Sequence, residues 1–179
     1  MSSVIIAGDT SGSITVAAPA AAGTNTITMP ASTGTMALTG DVDNVLNTYA
    51  TFVNSTEKVT VSATAATGTI NYDTNTQSVV YYTSAAVGDW TINFRASSGA
   101  TLNSVIATGE SITLVHLVTL TGAEYRNTTV QVDGSSITPE WQGGSAPTEG
   151  NINSIDSYAY TIIKTGDAAF TILAALTQF

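Results

Sequence analysis

Short stretches in which apolar and polar residues alternate recur along residues 54–179, at a spacing of about ten residues. Residues 58–62, 69–72 and 90–95 show this period of two clearly, which is the pattern of a strand with one buried face. Turn-forming pairs such as Asp133-Gly134 separate the stretches. The pattern predicts an all-β domain over residues 54–179, an antiparallel β-sandwich of jelly-roll-like type.

Two of these stretches are apolar at most positions rather than at alternate ones. They cover residues 77–83 and 111–120, and we expect both strands to be covered on both faces. Further strands are predicted over residues 128–132, 158–164 and 169–174.

The first forty residues form a different kind of segment, built from small residues with almost no charge. Gly12, Gly23 and Gly34 are eleven residues apart, and each precedes a short β-prone run. One reading is a flexible tail. The other, which the Ile, Val and Thr content favours, is an extended β arm (1–40) whose short strands pair only with sister copies or a particle surface. The expected docking residues are Ile14, Val16, Ile27, Met29, Met36 and Leu38.

Residues 41–53 predict one short helix between the arm and the sandwich. Asp41 is a suitable N-cap, and apolar residues follow at helical spacing. A helix of this length is marginal alone in water, so its apolar stripe needs a partner. It either packs on its own β domain or meets other copies on an axis as a neck. The stripe contains Val42, Val45, Leu46 and Tyr49, with Phe52 and Val53 behind them.

The charge balance excludes several classes of partner. Charged residues make up 9% of the chain, against the ~25% of ordinary soluble domains, and the net charge is −9. With four cationic residues in all, we expect no nucleic-acid binding and no docking to an anionic membrane. The chain contains no cysteine, opens without a signal-peptide pattern and has no apolar run of ~18 residues. Release by host lysis fits these features.

Several stretches resemble bacteriophage virion proteins. Residues 12–19 (GSITVAAP), 23–30 (GTNTITMP) and 34–35 resemble a motif near the start of many such proteins, tail-fibre-like ones included. The distal part resembles a small β domain of structural proteins from marine and cyanobacterial phages. The resemblance implies a particle component and supplies no catalytic residues. The distal stretches are 71–73 with Tyr81 and Tyr82, 90–95, 133–136, 141–148 (WQGGSAPT), 154–156 and 160–165.

No residue pattern predicts an active site, a metal site or a cofactor. His116 is the single histidine and lies in a strand with apolar neighbours, so we expect it to be packed and hydrogen-bonded in the core. The carboxylates lie mostly at turns, where acids are turn formers, and no calcium-loop spacing occurs.

A sugar contact is the one binding function that particular residues favour. Trp141, beside Gln142 and Glu140 in a Gly/Pro/Ser-rich loop, offers a ring for stacking, and Tyr125 is the next candidate. The alternative, which we favour, is that Trp141 anchors the loop to the core.

The sequence therefore predicts a non-enzymatic virion structural protein at the phage particle surface. It is expected to be a homo-oligomer, with a trimer favoured, built as a short fibre or a capsid decoration protein. Its arm would dock onto other virion proteins of the capsid or tail. The alternative is a receptor-binding module that recognises host-surface glycans.

Overall fold

The computed structural model describes the backbone of residues 3–7 and 13–17, and residues 56–179 in full. The chain divides into two compact units, residues 1–52 and 53–179. In the first unit, β1 (Ser3–Ala7) pairs antiparallel with β2 (Ser13–Ala17). The arm was expected to pair only with other chains, and this intrachain hairpin corrects that expectation for β2.

Ile14 and Val16 belong to β2. The other expected docking residues and the predicted helix lie outside the described residues: Ile27, Met29, Met36, Leu38, Val42, Val45, Leu46 and Tyr49.

The second unit confirms the predicted all-β domain. Ten strands and one short helix make up its regular structure, together with a single 3₁₀ turn. In chain order they are β3 (Val59–Ala65), β4 (Gly68–Asp73), β5 (Val79–Ser84), β6 (Trp90–Arg95), α1 (Leu102–Val105), β7 (Ser111–Leu120), β8 (Asn127–Val132), β9 (Ser135–Ile137), β10 (Glu140–Trp141), the 3₁₀ turn (Gln142–Gly144), β11 (Ser154–Gly166) and β12 (Ala169–Gln178).

Successive strands from β3 to β8 alternate between two sheets. The six-stranded sheet has the order β10-β12-β11-β7-β5-β3, and the four-stranded sheet has the order β4-β6-β8-β9. Within them β3, β5 and β7 run parallel, as do β4, β6 and β8. Each crossover between parallel neighbours therefore passes through a strand of the opposite sheet.

This arrangement corrects the expected antiparallel jelly roll. Among the strands of residues 56–179, antiparallel pairing is confined to β7-β11-β12 and β8-β9. The first switch between sheets shows the physical reason. Ala66 is buried and Gly68 has a φ of +59°, so the two-residue link after β3 turns into the opposite sheet instead of closing a hairpin.

The core lies between the two sheets and is rich in aromatic rings. Phe94 of the four-stranded sheet lies 5.1 Å from Tyr160 of the six-stranded sheet, measured between ring centroids. Trp90 lies 5.7 Å from both His116 and Tyr158. Burying each large apolar side chain contributes about 1.5–3 kcal/mol, so these rings dominate the packing.

The strands expected to be covered on both faces are buried on one face only. In β5 and β7 the residues Val80, Leu114 and Val118 are buried, whereas their strand neighbours Val79 and Val115 are only half-buried. Within the described residues, no helix is long and apolar enough to cross a membrane.

The short helix α1 is held at both ends by side chains from distant strands. At its N-terminus the carboxylate of Asp133 accepts hydrogen bonds from the backbone N–H groups of Leu102 (2.7 Å) and Asn103 (3.0 Å). At the other end the buried Lys164 ammonium donates to the carbonyls of Asn103 (2.5 Å) and Ile106 (2.9 Å). A helix of four residues cannot persist alone, so these charge-assisted bonds fix it.

Replacing Lys164 by methionine should destabilise the β domain. The Lys164→Met side chain keeps the apolar stem but leaves the two carbonyls without their donor, which costs about 2–4 kcal/mol of unfolding free energy. Urea denaturation of the two proteins measures the difference. Lys58→Met, the same change at an exposed lysine, should stay within about 0.5 kcal/mol of the wild type. Equal losses in both variants would contradict the role of Lys164.

Candidate functional site

An open groove of about 710 Å³ lies beside Trp141, where β10, the following loop and the end of β12 meet. β10 pairs parallel with β12 and places Trp141 next to Ala174. The chain then turns sharply, because Gly143 and Gly144 have φ values of +82° and +83°. The groove is lined by Trp141, Gln142, Gly143, Ser145, Pro147, Thr148, Glu149, Leu176, Thr177 and Gln178.

Trp141 packs against the aromatic core and also lines the groove. Its ring packs edge-on against Tyr158 (6.5 Å) and Tyr160 (6.3 Å), so it joins the loop to the aromatic core. The residue also lines the groove and a second cavity of about 240 Å³ formed with β8 and β9. Anchoring the loop and forming a groove wall are therefore compatible.

The other lining residues are mostly polar and uncharged. Gln142 and Gln178 contribute amide groups, Thr148 contributes a hydroxyl, and Glu149 contributes one carboxylate; all four are exposed. Amides and carboxylates can bind neighbouring hydroxyls in pairs, and an indole offers an apolar ring face. This is the chemistry that a sugar ring needs.

Tyr125 is not among the residues that line this groove. It is half-buried and packs against the core, in a loop that comes very close to Gly150. A Cβ on Gly150 would lie 2.3 Å from the Tyr125 carbonyl oxygen and 2.6 Å from Leu120 Cδ1, so only glycine fits there. Of the three predicted sugar contacts, Trp141 and Gln142 line this groove together, and Tyr125 does not.

His116 is fully buried among the aromatic rings of Tyr82, Trp90 and Tyr158. Packing was predicted correctly, but the predicted hydrogen bond is wrong, because neither ring nitrogen has a partner among the described residues. Burial lowers the pKa of His116 to about 3, so the imidazole is neutral at physiological pH. The side chain is fully enclosed by the protein.

The two outer sheet faces, which the sequence analysis did not single out, differ sharply in chemistry. On the four-stranded sheet, Asn93 Nδ2 donates to Asn71 Oδ1 (2.9 Å), and Arg95 pairs with Asp73 at 2.5 Å. On β3, β5, β7, β11 and β12 of the six-stranded sheet, the outward positions are aliphatic or hydroxylated, and the exposed Glu140 of the edge strand β10 lies in register with Leu173. The signal for this contrast was present in residues 77–83 and 111–120, where apolar residues occupy both strand faces.

Comparison with family models, curated proteins and solved structures finds no match to this chain. The resemblance to phage virion proteins therefore remains an expectation from the sequence motifs. The roles of the groove and of the sheet faces are inferred from their own residues.

Acidification should destabilise the β domain through His116. The pKa of its imidazole is about 3 in the folded chain against an ordinary 6.5, so the unfolded chain takes up the proton first as the pH falls. The stabilising contribution is complete above about pH 6.5 and is lost progressively towards pH 3. We expect the urea midpoint of the wild type to fall more steeply over this range than that of His116→Phe, which keeps the ring packing.

The carboxyl of Asp156 also contributes to the pH dependence of stability, and its contribution is the same in the wild type and in His116→Phe. Burial raises the pKa of its carboxyl, which stabilises the folded chain as the pH falls and acts equally in both proteins. The difference between the two pH profiles therefore isolates the histidine. Identical profiles would contradict the assignment.

Proposed function

We propose that this chain is a non-enzymatic structural component of a bacteriophage particle. It acts as a short multimeric fibre, with a trimer favoured, or as a capsid decoration protein at the virion surface. Its N-terminal arm, residues 1–40, docks it onto other virion proteins of the capsid or tail. The observation that carries the proposal is that the ionisable side chains best placed for chemistry in the β domain serve structural contacts instead.

Three sets of contacts support a scaffold rather than a catalyst. Asp133 and Lys164 hold the two ends of α1, and Asp73 pairs with Arg95 across β4 and β6. His116 is neutral and enclosed by rings. A general acid or base must be able to reach its substrate, whereas these groups are held in contacts within the domain.

The sequence of the arm supports the docking role. Its motifs at residues 12–19 and 23–30 resemble those of phage virion proteins, and its strands are short, uncharged and rich in Thr, Ile and Val. Such strands bind by adding to the edge of another sheet. Repetition over several copies then raises the overall affinity without any single strong contact.

Removing residues 1–40 should separate docking from folding. We expect the shortened chain to be soluble, to unfold cooperatively in urea and to have lost its association with purified particles. The full-length chain, added to the same particles and detected by sedimentation, is the control. An insoluble product, or a shortened chain that still sediments with particles, would contradict this division of labour.

A second candidate function is recognition of a host-surface glycan in the groove beside Trp141. The specific observation is the combination of an indole with exposed Gln142, Glu149 and Gln178 along one open groove. Stacking on the ring and paired hydrogen bonds from the amides and carboxylate would supply the affinity.

Variants of the groove test this candidate against a glycan array and host lipopolysaccharide. Trp141→Ala should abolish binding, but it also removes contacts to the core. Glu149→Gln and Gln178→Ala leave those contacts in place and should each weaken binding by about 10-fold, the value of a hydrogen bond to a charged or polar partner.

Glu57→Gln, the same change at an exposed acid that does not line the groove, is the matched control for Glu149→Gln and should bind like the wild type. Absence of any binding by the wild type would reject glycan recognition and leave the structural role in place.

A further inference from the structure

The outer surface of the six-stranded sheet, here called the apolar face, is built from alternate residues of β3, β5, β7, β11 and β12. Their strand neighbours Val80, His116, Tyr158 and Ala174 are buried in the core, so these residues point outward. In register, the two central rows are Val59, Val79, Val115, Ala159 and Ala175, and Val61, Tyr81, Leu117, Ser157 and Thr177.

No outward position of these five strands carries a formal charge. The two charged residues within them, Asp156 and Lys164, are both buried towards the core. Large side chains on the face are nevertheless open to solvent, with Val61 64% exposed and Leu173 47% exposed. An uncharged surface with exposed aliphatic side chains of this kind marks a candidate site of interaction.

The free edge of the sheet reinforces this interpretation. Within residues 56–179, β3 pairs only with β5 and leaves its other edge open. Exposed edge strands are ordinarily protected by an internal lysine or proline, and β3 contains neither. Val59 and Val61 thus combine exposed side chains with an open strand edge.

We propose that a second copy of this chain packs on the apolar face. The inference rests on the proposed function, in which several copies assemble, and it identifies one surface through which two copies meet. Charge is the first argument for this occupant. Each chain has 13 acidic and 4 basic residues, so copies repel wherever acidic surfaces meet, whereas the five strands of the apolar face present no carboxylate and Glu140 of β10 lies only at its margin.

Area is the second argument. Five strands of six to thirteen residues, at ~3.3 Å per residue and ~4.8 Å between strands, present roughly 700 Å². A stable interface of standard size buries about 600–1,000 Å² on each partner. The area of the face lies within that range.

Charge insertion on the full-length chain tests the proposal. Val61→Lys and Leu117→Lys both lie on the apolar face, with no acidic residue in register beside them, and should each weaken self-association by about 30-fold or more, because the ammonium would be buried without a partner. Sedimentation equilibrium gives the dissociation constants. Val87→Lys is the matched control, since Val87 is 63% exposed and lies in the loop between β5 and β6, outside the face.

Cysteine labelling provides a second measurement that needs no added charge. The chain has no cysteine, so Val61→Cys and Val87→Cys each introduce one thiol. In the assembled state, maleimide should modify the thiol at position 61 much more slowly than that at position 87. Dilution to the monomer should remove the difference.

Three results would overturn the proposal. The first is a wild-type chain that stays monomeric at high concentration. The second is a Val61→Lys variant with the same dissociation constant as the wild type. The third is an equal dissociation constant for the Val61→Lys and Val87→Lys variants. Particle association, measured in parallel, separates this inference from the proposed function. If the Val61→Lys variant assembles and joins particles as the wild type does, the apolar face is rejected and the proposed function stands. If Val61→Lys dissociates the assembly but the wild type does not join particles, the phage role is rejected and the apolar face stands.

Discussion

The packing of aromatic rings from one sheet against those of the other holds the β domain together. Trp90 and Phe94 on β6 meet His116 on β7 and Tyr158 and Tyr160 on β11, so three strands far apart in sequence converge on one cluster. Each sheet presents a ring-bearing face to the other. Trp141 extends the cluster to the surface and gives the distal loop its position.

Hydrogen bonds from polar side chains hold the parts of the domain that lie outside the aromatic cluster. Lys164 and Asp133 come from β11 and the β8–β9 turn, and together they fix a helix that its own four residues could not maintain. Asn127 is likewise buried, and its amide donates to the carbonyl of Trp90. These groups make the segment between β6 and β7 part of the domain.

The sequence predicts the positions of the strands well, but it does not predict which strands pair with one another. The stretches at residues 90–95 and 111–120 coincide with β6 and β7, because alternation or a long apolar run marks each strand locally. Alternation states which residues share a face but not which strand lies alongside, so the parallel pairing was missed. The helix α1 was missed because its determinants, Asp133 and Lys164, lie far along the chain.

In the candidate site, too, local features were predicted from the sequence and features that depend on tertiary contacts were not. Trp141 was recognised from its loop composition, and its core contacts were expected. The hydrogen bond predicted for His116 failed because partners in a core depend on packing that no local pattern reveals. The groove itself joins residues 141–149 to the end of β12, a meeting that only the tertiary structure produces.

The position of the last two strands has a consequence for how the chain acquires its structure. β11 and β12 close the six-stranded sheet beside β7, and Tyr158 and Tyr160 complete the ring cluster begun by Trp90 and Phe94. Contacts between residues so distant in sequence form slowly, because a long loop must close before they are made. A ribosome must therefore release nearly the whole chain before the core can close, and until then β5 and β7 expose apolar residues on both faces.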